Sequence, residues 1–534
     1  MHLDVHSLPD DPTELKQIIA TLSSSYQEKL HHLEEQVRLL RNEIFGRKSE
    51  KRLPPQDERQ QPLFDEADGG SEVAEPARGS QEQTPIQVGP HQRRKAGRKP
   101  LPAELPRIEV IHDLPESQKQ CACGAALSRI GEEVCEKLDI IPAKVQVIRH
   151  IRYKYACKGC EGVESETPTV QIAPAPPQLI PKTMATAGLL AHIVVAKFED
   201  ALPFHRQSKQ FTRLGIDLPR ATLCNWSRQV AEAAMPLADL MDRAIREGPI
   251  ANIDETSVQV LQEPGRAATQ KSFMWVFRGG DPQRPVLRYQ YHPTRAGSVP
   301  LAYLSGFKGY VQTDGYNGYE GLGRKPGIVM VGCWTHARRK FHEVVKAAEP
   351  QVAQRKLAAE EALEFIGRLY RIKKEARLKE LAPQELCELR QQQAKPVLEE
   401  FKRWLDKKAP LTPPGGLLGK AIGYALNQWS RLIVYLQDGR LRPDNNLVEN
   451  AIRPFVVGRK NWLFSGHPRG AEASAFLYSL IETAKANGLK PYAYMRHLFE
   501  QLPLAKTEED YRNLLPPYLD PSRLNPAAAQ VRIN

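Results

Sequence analysis

The sequence predicts a multidomain α/β protein, and three observations carry that prediction. At 534 residues the chain is too long for one hydrophobic core. Between Ile250 and Phe341, β-rich runs and helical stretches follow the order three strands, helix, strand, helix, strand, helix. Charged segments of helical period lie on both sides of that stretch. The net charge of +12 favours a polyanionic partner. The longest apolar run, Leu189 to Ala196, is too short to span a bilayer, so no membrane partner is expected. The start, Met1-His-Leu-Asp-Val-His, lacks a basic-then-apolar secretion signal, which points to a cytoplasmic protein.

The first element expected is a coiled coil within residues 1–50. Leu15, Ile19, Leu22, Tyr26, Leu30, Leu33, Val37, Leu40 and Ile44 recur at alternating three- and four-residue steps, with one stutter at Leu30. The stripe predicts self-association, with an amphipathic helix packed on its own chain as the alternative. Residues 51–92 are rich in Gln, Glu, Pro, Gly and Ser and read as a linker. A basic arm over 93–117 opens with Arg93, Arg94, Arg98 and Lys99. Such an arm suits a DNA minor groove or is simply a solvated basic tract.

Residues 118–165 contain Cys121-Ala-Cys123 and Cys157-Lys-Gly-Cys160, two cysteine pairs around a strand-rich stretch. They resemble a zinc ribbon holding one structural Zn²⁺, although the first pair is one residue tighter than usual. Ordinary buried cysteines are the alternative. A proline-rich linker covers 166–182. Residues 183–245 read as helical. There, Pro203 to Gly215 and Ile216 to Trp226 have helix-turn-helix grammar, with Arg220 opening the second helix. A generic helical hairpin fits the same pattern.

Residues 246–342 carry the strands. Ile250 to Leu261 contains Asp254, and Tyr310 to Asp314 ends on a second acid. Ile328 to Trp334 leads into a basic helix containing Arg338 and Arg339. This order is that of a ribonuclease-H-like core. Residues 343–435 read as an α-helical insertion, 436–500 as the second part of the core with C-terminal helices, and 501–534 as a tail. The segment Arg442 to Pro454 reads as a short helix capped by Asp444, ended by Pro454 and carrying Glu449.

Asp254, Asp314 and Glu449 thus come from two strands and one helix. Three carboxylates so placed suit two Mg²⁺ or Mn²⁺ ions in phosphoryl transfer. Arg453, Arg459 and Lys460 follow Glu449 and are expected to bind phosphates, while Arg338 and Arg339 line the same groove or form a solvated face. Trp462 reads as a base-stacking residue or as core.

Several stretches resemble the transposases of the insertion sequence 66 family, of DDE type. They are Ile44 to Lys51, Ala96 to Pro100, the cysteine pairs, Asp254-Glu-Thr256, Thr313 to Tyr316, Trp334 to Phe341, Asn445 to Pro454 and Gly458 to Gly466. The resemblance implies that Asp254, Asp314 and Glu449 are the catalytic trio. It also implies metal-dependent cleavage and transfer of double-stranded DNA ends into a target, aided by accessory proteins encoded by the same element. A related nuclease without strand transfer and a silent DNA-binding regulator are the rival readings. The separate DNA-binding modules argue against the first, and the intact acids against the second.

Overall fold

The computed structural model describes residues 11–45, 145–156, 170–348 and 357–524. Cys121, Cys123, Cys157, Cys160, Arg93, Arg94, Arg98 and Lys99, together with the expected linker over 51–92, lie outside the described residues. The chain divides into two compact units, residues 70–172 and the remainder.

The larger unit begins with helix α1 (Pro12–Phe45). Polar groups tie this helix to its own chain. Arg38 Nε donates to the carbonyl of Ala347 at 3.1 Å, and Glu35 accepts the Leu417 N–H at 3.3 Å. Its apolar stripe is not what makes these contacts. Ile19, Tyr26, Leu30, Leu33, Val37 and Leu40 are 46–65 % exposed. In the smaller unit, strands β1 (Lys154–Ala156) and β2 (Val170–Ile172) pair antiparallel.

Helices α2 (Ala187–Phe198), α3 (Phe204–Arg213), α4 (Arg220–Ala234) and α5 (Pro236–Glu247) come next. The turn between α3 and α4 uses Gly215 at φ +80°, and Ser208 Oγ closes it on the Leu218 carbonyl at 2.7 Å. Phe211, Leu223, Trp226 and Val230 are buried in the same core as the sheet that follows. The helical pair is therefore built into that core.

The sheet holds β3 (Ile250–Gln259), β4 (Lys271–Asp281), β5 (Arg284–His292), β6 (Gly309–Gln312) and β7 (Ile328–Val331). Its order is β5-β4-β3-β6-β7. The first three strands form an antiparallel meander, while β6 and β7 run parallel to β3. Short helices α6 (Ser298–Tyr303) and α7 (Glu320–Gly323) make the crossovers, and α8 (Trp334–Ala347) leaves β7 directly.

Helices α9 (Ala358–Leu378), α10 (Pro383–Leu389), α11 (Lys395–Lys408), α12 (Leu417–Asn427) and α13 (Trp429–Leu432) follow. They build a second core with α8 around Trp334, Phe341 and Phe401. Trp334 Nε1 donates to the Leu432 carbonyl at 3.0 Å, which satisfies its buried donor.

The chain returns to the sheet in α14 (Asn446–Trp462) and continues through α15 (Pro468–Ala486), α16 (Pro491–Gln501) and α17 (Glu508–Leu514). Helix α15 closes the outer edge of β5. The Leu287 N–H donates to Thr483 Oγ1 at 3.0 Å, and the Tyr289 N–H to Ser479 Oγ at 2.8 Å. Hydroxyls on a helix thus take the peptide groups that an edge strand leaves unpaired.

Two local expectations need correction. Helix α14 does not stop at Pro454 but runs 17 residues to Trp462, with Pro454 inside it. An internal proline costs roughly 3 kcal/mol. Burial of Val448, Ala451, Ile452 and Phe455 along one face offsets that cost. Nor is Asp444 the N-cap residue, although its Oδ1 accepts the Asn446 N–H at 3.4 Å. It is fully buried and paired with Lys373 Nζ at 2.9 Å, and Asn445 is the N-cap residue. Among the described residues no helix is long and apolar enough to cross a membrane.

Candidate metal centre

Asp254 lies on β3 at the centre of the sheet, and Asp314 two residues beyond the end of β6. Because β3 and β6 are parallel neighbours with Asn252 opposite Gln312, the two acids, each two residues further on, fall at the same level. Glu449 enters from the first turn of α14. The three carboxylates interact. Burial pushes Asp254 well above the usual carboxylate range, and the charges of Glu255, Glu449 and Asp314 push it further. Burial also raises Glu449; Arg339 opposes this, while Asp444 and Asp314 add to it.

The position of Glu449 is fixed by a buried polar lock that the sequence gives little sign of. Asn252, Gln312, Asn445 and Asn446 are each no more than 4 % exposed. Asn252 Nδ2 donates to Gln312 Oε1 at 3.0 Å and to Asn445 Oδ1 at 3.1 Å. Asn445 Nδ2 donates to the Ile253 carbonyl at 3.0 Å, and the Asn445 N–H to Cys333 Sγ at 3.2 Å. Thr335 Oγ1 donates to Asn446 Oδ1 at 3.1 Å. One of these bonds ties β3 to β6, and the others join the start of α14 to β3 or to the Cys333–Thr335 junction at the start of α8. The lock therefore sets where Glu449 stands relative to Asp254.

Asp314 is positioned by its own turn. It accepts the Tyr316 N–H at 3.0 Å. The next residue must be glycine, because a Cβ at Gly315 would sit 2.7 Å from the Tyr424 ring. Behind Asp254, Glu255 has a side chain 1 % exposed, held by Tyr319 and by Arg295. The Arg295 guanidinium lies 3.8 Å above the Tyr316 ring centroid.

A second set of donors shares Glu449. Among the described residues, ligand atoms of Cys333, His336 and Glu449 all lie within 4.8 Å of one another. His336 Nδ1 is 3.6 Å from Glu449 Oε1 and is buried with no hydrogen-bond partner. Burial, helped by Arg339, pushes this imidazole down to about 4, so it is neutral at pH 7 with a free nitrogen donor. Burial and Glu449 push the Cys333 thiol up, so it is protonated. Cys333 was not among the residues to which the sequence pointed. Its signal was the Cys-x-x-His spacing at the strand-to-helix junction.

The basic residues separate in space. Arg339 reaches Glu449 Oε2 at 4.0 Å, and Arg453 lies one turn after Glu449, whose pKa its charge lowers. Arg459 donates to Thr256 Oγ1 at 3.1 Å, two residues along β3 from Asp254. Lys460 is exposed beside it. Arg338 is partly buried near Tyr370, and Arg220 is exposed at the start of α4. Trp462 packs edge-on against Phe455 at 5.4 Å, so it is a packing residue.

A family model described as "Transposase IS66 family" matches residues 182–473. Three more cover other parts. The "zinc-finger binding domain of transposase IS66" matches 118–161, and the "IS66 C-terminal element" matches 479–516. A leucine-zipper-like model described as "Transposase C of IS166 homeodomain" matches 32–110. Two relatives from Sinorhizobium fredii (strain NBRC 101917 / NGR234) carry only the names of uncharacterized proteins. The protein y4jD is 36 % identical over 431 residues, covering 78 % of this chain and 81 % of that one. The protein y4qI is 30 % identical over 554 residues, covering 97 % and 98 %. The central match spans more than half of the chain and contains Asp254, Asp314 and Glu449, so the chain belongs to the IS66 family of transposases.

Proposed function

We propose that this chain binds the inverted-repeat ends of an insertion sequence and catalyses metal-dependent strand cleavage and strand transfer. The observation that carries the reading is the convergence of three charge-coupled carboxylates from a central strand, its parallel neighbour and a helix crossing them. The strand order and directions support a ribonuclease-H-like core. Asp254, Asp314 and Glu449 would hold two Mg²⁺ or Mn²⁺ ions. The fit rests on the donor set: hard oxygens, two of them raised by burial and mutual repulsion, which a divalent cation relieves. When bound, such ions activate an attacking oxygen and stabilise a leaving one.

The chain's own residues do the rest. Arg459 is held by strand hydroxyls near Asp254 and would steady a DNA phosphate there. Neutral His336 places a ring nitrogen 3.6 Å from Glu449 Oε1 without adding charge. The zinc-finger and leucine-zipper-like matches support DNA-binding and self-associating parts outside this centre. The uncovered stripe of α1 supports pairing of two copies, which would bring two DNA ends together. The residues would divide as the sequence analysis has them, with the basic arm, Arg220 and the zinc module on DNA. Accessory proteins of the same element and a bacterial nucleoid location complete this reading.

The test is a joining assay. Full-length protein, duplexes carrying the element's ends and a target plasmid are incubated in Mg²⁺. The expected products are free 3′ ends and end–target joints. Cleaved ends without joints support the plain nuclease instead, and bound but uncut ends support the silent regulator.

A further inference from the structure

A cavity of about 120 Å³ opens between β3, β4, β6 and the segment leading into α14, lined by Asn252 and Gln312, which precede Asp254 and Asp314 by two residues. It is well below the ~300 Å³ of pockets that take drug-sized ligands. Its floor is Asn252 and Gln312, two buried amides whose bonds are already fixed by the polar lock. Its charged walls are Arg278, Arg440 and Arg442.

Arg278 sets this cavity apart. It stands opposite Asn252 in the β3–β4 register and donates to Asn252 Oδ1 at 3.4 Å. Among the described residues no carboxylate pairs with it. Burial, together with the neighbouring charge of Arg442, pushes this guanidinium down to about 10. Arg440 is held in place by Asp438 at 2.6 Å. A half-buried cation facing another cation is costly unless an anion completes the site.

We propose that this cavity binds one phosphate of the DNA backbone, adjacent along the strand to the phosphate that reacts. The proposal rests on the functional reading above. Asn252 and Gln312 precede Asp254 and Asp314 by two residues, which puts the cavity roughly 7 Å along the strands on the same face of the sheet. Successive phosphates of a strand are displaced along the axis by about 3.4 Å and also around it, so the distance between neighbours is on this order. A phosphate clamped there fixes the register of the strand over the carboxylates. The planar fork of Arg278 suits two phosphate oxygens at once.

The test uses the full chain without divalent metal, so that binding is read apart from cleavage. Binding of a labelled duplex carrying the element's end is measured against salt for wild type, Arg278→Met and Arg278→Lys. Arg278→Met is expected to bind about tenfold more weakly, with a salt slope shallower by about 1. Its melting temperature is expected to hold or rise, because an uncompensated buried charge is gone; a purely structural arginine would lower it. Arg278→Lys is expected to recover part of the affinity. One methylphosphonate near the cleaved bond should weaken wild type and have no further effect on Arg278→Met.

Equal affinity and slope in wild type and Arg278→Met would overturn the proposal. So would saturation by inorganic phosphate that leaves wild-type DNA affinity unchanged, since the cavity would then serve a free anion. A wild-type chain that ignores the duplex would overturn the functional reading instead.

Discussion

Asp254→Asn, Asp314→Asn and Glu449→Gln are each expected to reduce strand cleavage by at least about 10²–10³-fold, the loss that one contact to developing charge produces elsewhere. Binding of end DNA should survive, because phosphate contacts come from other residues. Asp254→Asn should also raise the melting temperature in metal-free buffer. The sign follows from linkage. Burial and three neighbouring acids raise the folded pKa of Asp254 above its ordinary 3.8. A group raised in this way favours folding below the unfolded value, and that contribution is lost as pH rises toward the folded value. The gap between variant and wild type should therefore open upward from about pH 4 and narrow when Mg²⁺ is added. Cleavage at the wild-type rate in any one variant would remove that acid from the centre.

Zinc is expected at about one ion per chain, held by Cys121, Cys123, Cys157 and Cys160 in the stretch matched by the zinc-finger model. Structural zinc supplies an apparent free energy on the order of 10–16 kcal/mol, so its loss should unfold this module outright. Cys157→Ala or prolonged chelation followed by Mg²⁺ alone should abolish specific end binding. The unit containing the sheet should still melt cooperatively, because its core is separate from residues 70–172. Metal analysis showing no zinc in a folded, DNA-binding sample would contradict this.

The strands were legible because their alternation is strong. The run from Phe273 to Arg278 falls inside β4, and Val286 to Tyr291 inside β5. The position of Asp314 followed from a strand end and a turn, and that of Asp254 from the β-rich run that contains it, which are local signals. Other features are set by partners far along the chain. Asp444, Asn445 and Asn446 carry no local signal of burial, yet they are buried because Lys373, Asn252 and Thr335 meet them from distant elements. Pro454 read as a stop, since local propensity does not include the face that α14 buries. Arg278 sat unnoticed inside a strand, because its significance depends on Arg442, brought in by a later segment.

The most direct measurement is a count of bound Mn²⁺ by electron paramagnetic resonance, with the full chain held on end DNA that lacks the reactive 3′ hydroxyl. Wild type should bind two ions at the carboxylate centre, with affinity rising with pH as the raised carboxyls ionise. Asp254→Asn should bind fewer at the same DNA occupancy. Two ions bound equally by wild type and Asp254→Asn, or none bound by a wild-type complex that still cuts DNA, would contradict a centre built from Asp254, Asp314 and Glu449.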